Sequence, residues 1–284
     1  MAAMTVNVED KKQPSEYLLG YTDAEHDRLI RQATLIAPFT ERLFREAGIG
    51  QGQRVLDLGS GVGDVSMMVS RLVGPSGEVV GVERDANSIG KAKLRVSAMG
   101  IRNVSFVQAD VSEIADGRPF DACVGRFILH FVPEPLSVLR SLARRLRPGG
   151  ILAFQEPSFI PMIALCSDLP LWSRVLRTAR ESGVRCGVNP EIGLELYRLL
   201  PQLGLPAPKM HIDVLLNGDG RVREIMLDAF RSLLPQAKRH KVPLEEVGDL
   251  NTLAERVDAE IAAANTAIPF LPLVNVWTRN LKNS

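Results

Sequence analysis

Apolar and polar positions change rhythm several times along this chain, and each change predicts an element. Between Arg54 and Glu156, short and almost wholly apolar runs alternate with stretches whose apolar residues recur every three or four positions. RVLDL (54–58), GEVVGVE (77–83), VSFVQAD (104–110), FDACVGRF (120–127) and ILAFQE (151–156) read as strands. Continuous apolar character over so few residues suits a strand covered on both faces. Val65, Met68, Val69 and Leu72 fall at i, i+3, i+4 and i+7 and predict a helix after the first strand. Ala86, Ile89, Ala92 and Val96 predict a second helix, stopped by Gly100, and Leu136, Leu139, Leu142 and Leu146 another, stopped by RPGG. Strands alternating with helices imply right-handed crossovers and a parallel sheet.

The flanks have a different grain. TDAE (22–25) is a capping-box pattern with Thr22 as N-cap and Glu25 three residues on, and Leu29, Ala33, Ile36 and Ala37 follow at helical spacing until GIGQGQ (48–53). After Glu156 the alternation breaks: helices are predicted over 170–184 and 191–204, a strand over 209–218, helical faces at Val222–Leu233 and Leu253–Ala264, and a last strand over 271–277. The predicted organisation is an N-terminal helical lid (1–50), a ligand-binding core (51–157), and cap helices with final strands completing the same sheet (158–284). The polar residues 1–16 carry an expectation of mobility.

Composition narrows the classes. A chain of 284 residues with 45% hydrophobic and 24% charged residues can bury a full core. A net charge of +1 gives no global attraction to nucleic acid or a membrane surface. Three cysteines without CxxC spacing argue against a zinc site or a disulfide framework. With no apolar signal core and no run near the roughly 18 residues of a membrane span, the expected location is the cytoplasm.

The chemistry centres on VLDLGSGVGD (55–64). A dinucleotide loop reads G-x-G-x-x-G, which would place its third glycine at position 64, where this chain has aspartate. Asp57 and Asp64 together predict repulsion of a pyrophosphate, hence no binding of NAD or NADP, and a ligand with a cationic end. Glu83 closes the second strand, roughly 20 residues after the loop, where an acidic side chain accepts ribose hydroxyl hydrogens. Asp110 closes the third and can accept from an exocyclic adenine amine. With VVGVERD, VQAD, FDACVGRFILHF and LRPGG, the chain resembles the class I S-adenosylmethionine-dependent methyltransferases over about residues 50–156. The resemblance implies a Rossmann-like α/β fold: a seven-stranded, mostly parallel sheet with helices on both faces and an antiparallel last strand. It implies that Gly59 and Gly61 face the methionine part of the cofactor, Glu83 the ribose, and Asp110 with Val111 the adenine, with Gly125 or Arg126 beside the amino-acid tail. Asp57, Ser60 and Arg84 complete the implied cofactor set. The segment YLLGYTDAEHDRLIRQA (17–33) is similar to the lid of the small-molecule branch, near the ubiquinone and menaquinone C-methyltransferases.

Methyl transfer is governed by alignment, and a general base is needed only where the acceptor keeps its proton. His130, His26 and Tyr21 are the catalytic candidates; a helix-capping or structural role for His130 and a surface role for His26 are the alternatives. Arg126 and Glu156 are candidates for orienting a polar group of the acceptor, with Phe127 and Trp172 as apolar walls or ordinary core. The expected acceptor is a small aromatic or heteroaromatic molecule, a phenol, quinol or indole, methylated on carbon, oxygen or nitrogen. A homodimer is left open. A DNA amino-methyltransferase would carry D/N-P-P-Y/F after the fourth strand, where this chain has GRFILHF. A protein methyltransferase and a non-catalytic cofactor-binding module remain as alternatives.

Overall fold

The computed structural model describes residues 18–114, 117–218 and 220–280; the polar 1–16 stretch lies outside the described residues. The chain begins with α1 (Asp23–Ala47), continues through β1 (Arg54–Leu58), α2 (Asp64–Val73), β2 (Glu78–Glu83), α3 (Ala86–Ala98), β3 (Val104–Gln108), β4 (Phe120–Arg126), α4 (Pro135–Arg145) and β5 (Leu146–Pro157). It then runs through α5 (Phe159–Leu165), α6 (Pro170–Arg185), α7 (Ile192–Leu199), β6 (Lys209–Asp213), β7 (Leu216–Asn217), α8 (Arg221–Arg239), α9 (Leu253–Ala264), β8 (Ile268–Pro269) and β9 (Leu273–Arg279).

Seven strands form one sheet in the order β3-β2-β1-β4-β5-β9-β6. The first five run parallel, and β9 is antiparallel to both β5 and β6. The period of two in each strand splits its apolar residues between the faces. Val55, Val79, Ala122 and Ile151 pack against α2 and the C-terminal half of α1, while Leu56, Val80, Cys123 and Leu152 pack against α4 and α7. A third apolar cluster, built from α5, α6, α8 and α9 with Ile36 of α1, forms the cap. No helix among the described residues is long and apolar enough to cross a membrane.

Several boundaries differ from the sequence pattern for local reasons. Leu146 does not finish α4; it opens β5 opposite Phe120, with a register shift before Ala122 pairs Ile151. The stretch 209–218 is two strands: β6 lies at the sheet edge, and β7 turns away to pair with β8. Thr22 caps α1 by accepting from the Glu25 amide at 3.2 Å, but Glu25 does not close the capping box. Its carboxylate instead takes a two-pronged contact from Arg28, at 2.7 and 2.9 Å, with both side chains buried.

Helix α1 bridges two bodies of structure. His26 Nε2 lies 3.0 Å from Ser88 Oγ and Lys91 is 3.1 Å from Asp23, which ties the first turns to α3. Arg31 pairs with Asp228 at 2.7 Å and Ser232 donates to Glu25 at 3.3 Å, which ties the same helix to α8.

Candidate active site

Strand order reverses between β1 and β4, because β1 leads outward to β2 and β3 while β4 leads the other way to β5. The loops that follow these two strands therefore diverge and open a crevice at their carboxyl ends. A cavity of about 620 Å³ occupies it, roofed by α1, α6 and α8.

Its first end is built by the glycine loop. Gly59 and Gly61 hold φ of +59° and +51°, the left-handed region that a side chain disfavours. A Cβ on Gly59 would meet Ile128 Cδ1 at 2.5 Å, whereas one on Gly61 would meet nothing within 4 Å. The loop thus packs on one side and leaves open space on the other. Ser60 Oγ is buried there with no partner among the described residues. Glu83 lines the same end, and its carboxylate accepts from the amides of Gly61 (3.0 Å), Arg84 (2.8 Å) and Asp85 (3.0 Å). Asp110 and Val111 also line it, and Asp110 Oδ1 accepts from the Ser112 amide at 2.9 Å. Open space beside a bare loop, an orphaned hydroxyl and an acidic residue at the end of β2 fit a ligand that carries a ribose and a flexible tail.

Two residues of the predicted cofactor set sit behind this wall. Gly125 is absent from the lining because Ile128 and Phe154 fill the place of its missing Cβ, at 2.7 and 3.0 Å. Asp57 is fully buried beneath the loop, where Ser66 donates to it at 2.5 Å. Asp64 does line the cavity, but Arg95 neutralises it at 2.7 Å. The expected repulsion of pyrophosphate by Asp57 and Asp64 therefore has no bare carboxylate behind it. What opposes a phosphate is Glu83, which already takes the Gly61 N–H that a phosphate would need.

Burial pushes the Asp57 carboxyl up to about 7, with the Ser66 hydrogen bond and the Arg126 charge acting against it. In the unfolded chain an aspartate titrates at about 3.9. Between these values the folded state binds the extra proton, so stability from this group falls as pH rises from about 4 to about 7 and then levels. Asp57→Asn, which can still accept from Ser66, should flatten that decline. Denaturant midpoints measured across this range would show it; a decline as steep as in the parent protein would refute it.

The second end is built by the turn after β4. His130, on a short 3-10 turn (Leu129–Phe131), lines the cavity, with its Nδ1 2.9 Å from Glu156 Oε2. Glu156 itself is fully buried and does not reach the cavity, contrary to the expectation that it orients the acceptor directly. It accepts from the amides of Ile128 (3.2 Å) and Leu129 (2.9 Å) as well as from the His130 ring, so it acts through the turn it holds. Phe127 lines the cavity with φ +54°, a strained value for a bulky residue that is held by the hydrogen bond its N–H donates to Gln155 O at 2.9 Å. Trp172 is fully buried inside the cap cluster and is not a wall of the cavity; the apolar side is made by Phe127, Phe131, Phe159 and Phe230.

Tyr21 and His26 line the cavity from α1 and the turn before it. Arg84 Nε donates to Tyr21 Oη at 2.7 Å, and burial raises the Tyr21 pKa above the ordinary phenol value against that contact. His26 is 3% exposed, so it is a buried side chain and not a surface histidine. Arg28, Gln32 and Arg180 also line the cavity. The sequence pattern does not single them out, because a polar residue on an amphipathic helix reads as solvated. Arg28 lies against Glu25 and Gln32, and Arg180 donates to Glu191 at 3.2 Å.

This fold and site define a class. Residues 49–195, just over half of the chain, match the methyltransferase domain family, and the chain belongs to it as an S-adenosylmethionine-dependent methyltransferase. The chain is 32% identical over 171 residues to a ubiquinone/menaquinone biosynthesis C-methyltransferase of Coxiella burnetii, an alignment covering 57% of this chain and 67% of the relative. It is 39% identical over 117 residues to the protein of that name from Pseudomonas paraeruginosa, covering 39% of this chain and 46% of that one. The chain thus spans about half to two thirds of the length of these relatives. Among solved structures, a putative methyltransferase from Bacillus halodurans superposes with a TM-score of 0.55 at 16% identity, over 85% of this chain and 98% of that one, a likeness of fold.

If α1 closes over the cofactor, S-adenosylhomocysteine should slow amide hydrogen exchange across residues 20–28, where Tyr21 and His26 meet Arg84 and Ser88. Residues 1–17 of the predicted lid lie outside the described residues. Equal exchange with and without ligand would argue against closure.

Proposed function

We propose that the protein methylates a small, apolar aromatic acceptor that carries a ring hydroxyl, with His130 as the general base. The observation that carries this reading is the buried His130–Glu156 pair set into an otherwise phenylalanine-rich wall. With Nδ1 held by a carboxylate, Nε2 is the nitrogen that takes the proton, and the Glu156 charge stabilises the imidazolium that forms.

When bound, S-adenosylmethionine supplies an electrophilic methyl group on a sulfonium. The chain's own residues do the rest. Glu83 would accept from the ribose hydroxyls, Asp110 and Val111 would hold the adenine, Ser60 and the open side of Gly61 would take the tail, and Arg126 would offer a cation to its carboxylate. Arg84 supports this end by holding Tyr21 across it. Phe127, Phe131, Phe159 and Phe230 hold the acceptor ring and exclude water, which is the alignment and desolvation that methyl transfer requires. His130 Nε2 removes the hydroxyl proton. The resulting phenolate is nucleophilic at oxygen and at the ortho carbon, so the reading accommodates O-methylation, and C-methylation in which the ring carbon then loses its proton and the oxygen regains one from the imidazolium. The two named relatives are C-methyltransferases of ubiquinone/menaquinone biosynthesis, which favours a ring of the quinol type.

A turnover assay on matched pairs of aromatic compounds, each with and without the ring hydroxyl, tests this. Methylation confined to the hydroxylated members is the expected result. Equal turnover of a de-hydroxy partner would sink the base-assisted reading.

A further inference from the structure

Arg126 ends β4 on the cavity floor, between the glycine loop and the acceptor wall. Burial pulls its pKa below the ordinary arginine value, opposed by the charges of Asp64 and Asp57. Neither carboxylate pairs with it: Asp64 is taken by Arg95, and Asp57 by Ser66. Its hydrogen bond among the described residues goes to a hydroxyl, Thr40 Oγ1, at 3.3 Å.

From Thr40 the contacts continue through the protein. The Thr40 hydroxyl has two acceptors in range, Ile36 O at 3.2 Å and Gln155 Oε1 at 2.7 Å, and the shorter contact continues the chain; Gln155 Nε2 donates to Asn275 Oδ1 at 2.7 Å, and Asn275 Nδ2 donates to Asp213 Oδ2 at 3.0 Å. Thr40, Gln155 and Asn275 are fully buried, and they come from α1, β5 and β9. The chain starts at a cation and ends at an anion, which fixes its direction. An arginine can only donate and an ionised aspartate can only accept, so each amide between them has one orientation that leaves no clash of like partners. Such chains polarise their members cooperatively at low dielectric. Three buried polar residues where apolar ones would pack at least as well call for a reason beyond packing.

We propose that Thr40, Gln155 and Asn275 are positioning residues for Arg126, a one-way hydrogen-bond chain that aims its guanidinium at the carboxylate of S-adenosylmethionine. Thr40 draws the charge toward α1 without neutralising it, as a carboxylate in its place would. This rests on the reading that Arg126 meets the amino-acid tail. The competing role is structural: Gln155 lies opposite Asn275 in the β5–β9 ladder, and the chain could serve only to pin that register and the seat of α1.

Two probes separate these roles in calorimetry. S-adenosylhomocysteine carries the carboxylate; 5′-methylthioadenosine keeps the adenosine and lacks the amino-acid tail. Thr40→Val should weaken the first by about tenfold, the scale of one compromised hydrogen bond to a charged group, and leave the second within about twofold. Thr40→Ser should restore the parent ratio. Asn275→Ala, two links away, should change the ratio in the same direction by less, and it serves if Thr40→Val melts below the assay temperature. Equal losses for both probes, or no loss for either, would overturn the proposal. Arg126→Met is the control on its premise. If Arg126→Met shifts the ratio and Thr40→Val does not, positioning fails alone; if Arg126→Met also leaves it unchanged, the tail reading fails with it.

Discussion

Replacing His130 with alanine is expected to lower kcat by about 100- to 10,000-fold, the range that a positioned general base contributes. The affinity for S-adenosylhomocysteine should stay near that of the parent, because His130 belongs to the proposed acceptor end of the cavity and not to the glycine loop. Glu156→Gln gives an intermediate test. Glutamine can still accept from the Leu129 amide and the ring, but it brings no charge to stabilise the imidazolium, so kcat should drop while the turn persists. A full-rate His130→Ala enzyme would mean that the acceptor is already a nucleophile and that positioning alone drives transfer. His130 would then be the turn histidine that its backbone contacts also describe.

The second large effect is on the cofactor. Glu83→Ala removes a charged acceptor from the ribose, and hydrogen bonds to charged groups are worth about 1.5–3 kcal/mol. That corresponds to roughly 10- to 150-fold weaker binding. The structure argues for the upper part of that range. The same carboxylate satisfies the amides of Gly61, Arg84 and Asp85, so its loss also loosens the glycine loop. Calorimetry should find the loss for S-adenosylhomocysteine and 5′-methylthioadenosine alike, since both carry the ribose, in contrast to the tail-selective loss expected at Thr40. An unchanged dissociation constant would remove Glu83 from the site.

The parallel core was legible because its signals are local. Each strand is a contiguous apolar run, each helix an i, i+3, i+4 stripe, and the glycine loop with Glu83 and Asp110 falls where strands end. The ribbon of β7 and β8 was not legible, since two residues per strand carry no period. Helix α5 was hidden for a related reason: FIPMIAL is too short and too uniformly apolar to separate from a strand. At the site, residue identities were easier to read than partnerships. His130 and Glu156 both stand at strand ends, but nothing in their spacing of 26 residues says that the carboxylate turns inward to the imidazole and away from the cleft. Trp172 has the composition of a pocket wall and the burial of a core residue, and only packing decides between them. Arg28, Gln32 and Thr40 were missed because helix patterning assigns polar residues to solvent, and on α1 these three are buried against protein.

The position of α1 bears on how the molecule is made. The helix is synthesised before the segments that cover it, and several of its polar contacts wait for much later residues: Thr40 for Gln155, Arg31 for Asp228, Glu25 for Ser232, and the Ala47 carbonyl for Arg279, which donates to it at 2.9 Å. Until those segments emerge, a helix with a buried ion pair and a buried threonine has nothing to bury them against. The parallel core between β1 and β5 can collapse during synthesis, but the sheet is complete only when β9 slots in between β5 and β6. Contacts so distant in sequence are slow to form. The nascent chain should therefore pass through a stage with a formed glycine loop and an open, apolar crevice, the stage at which a chaperone has most to protect.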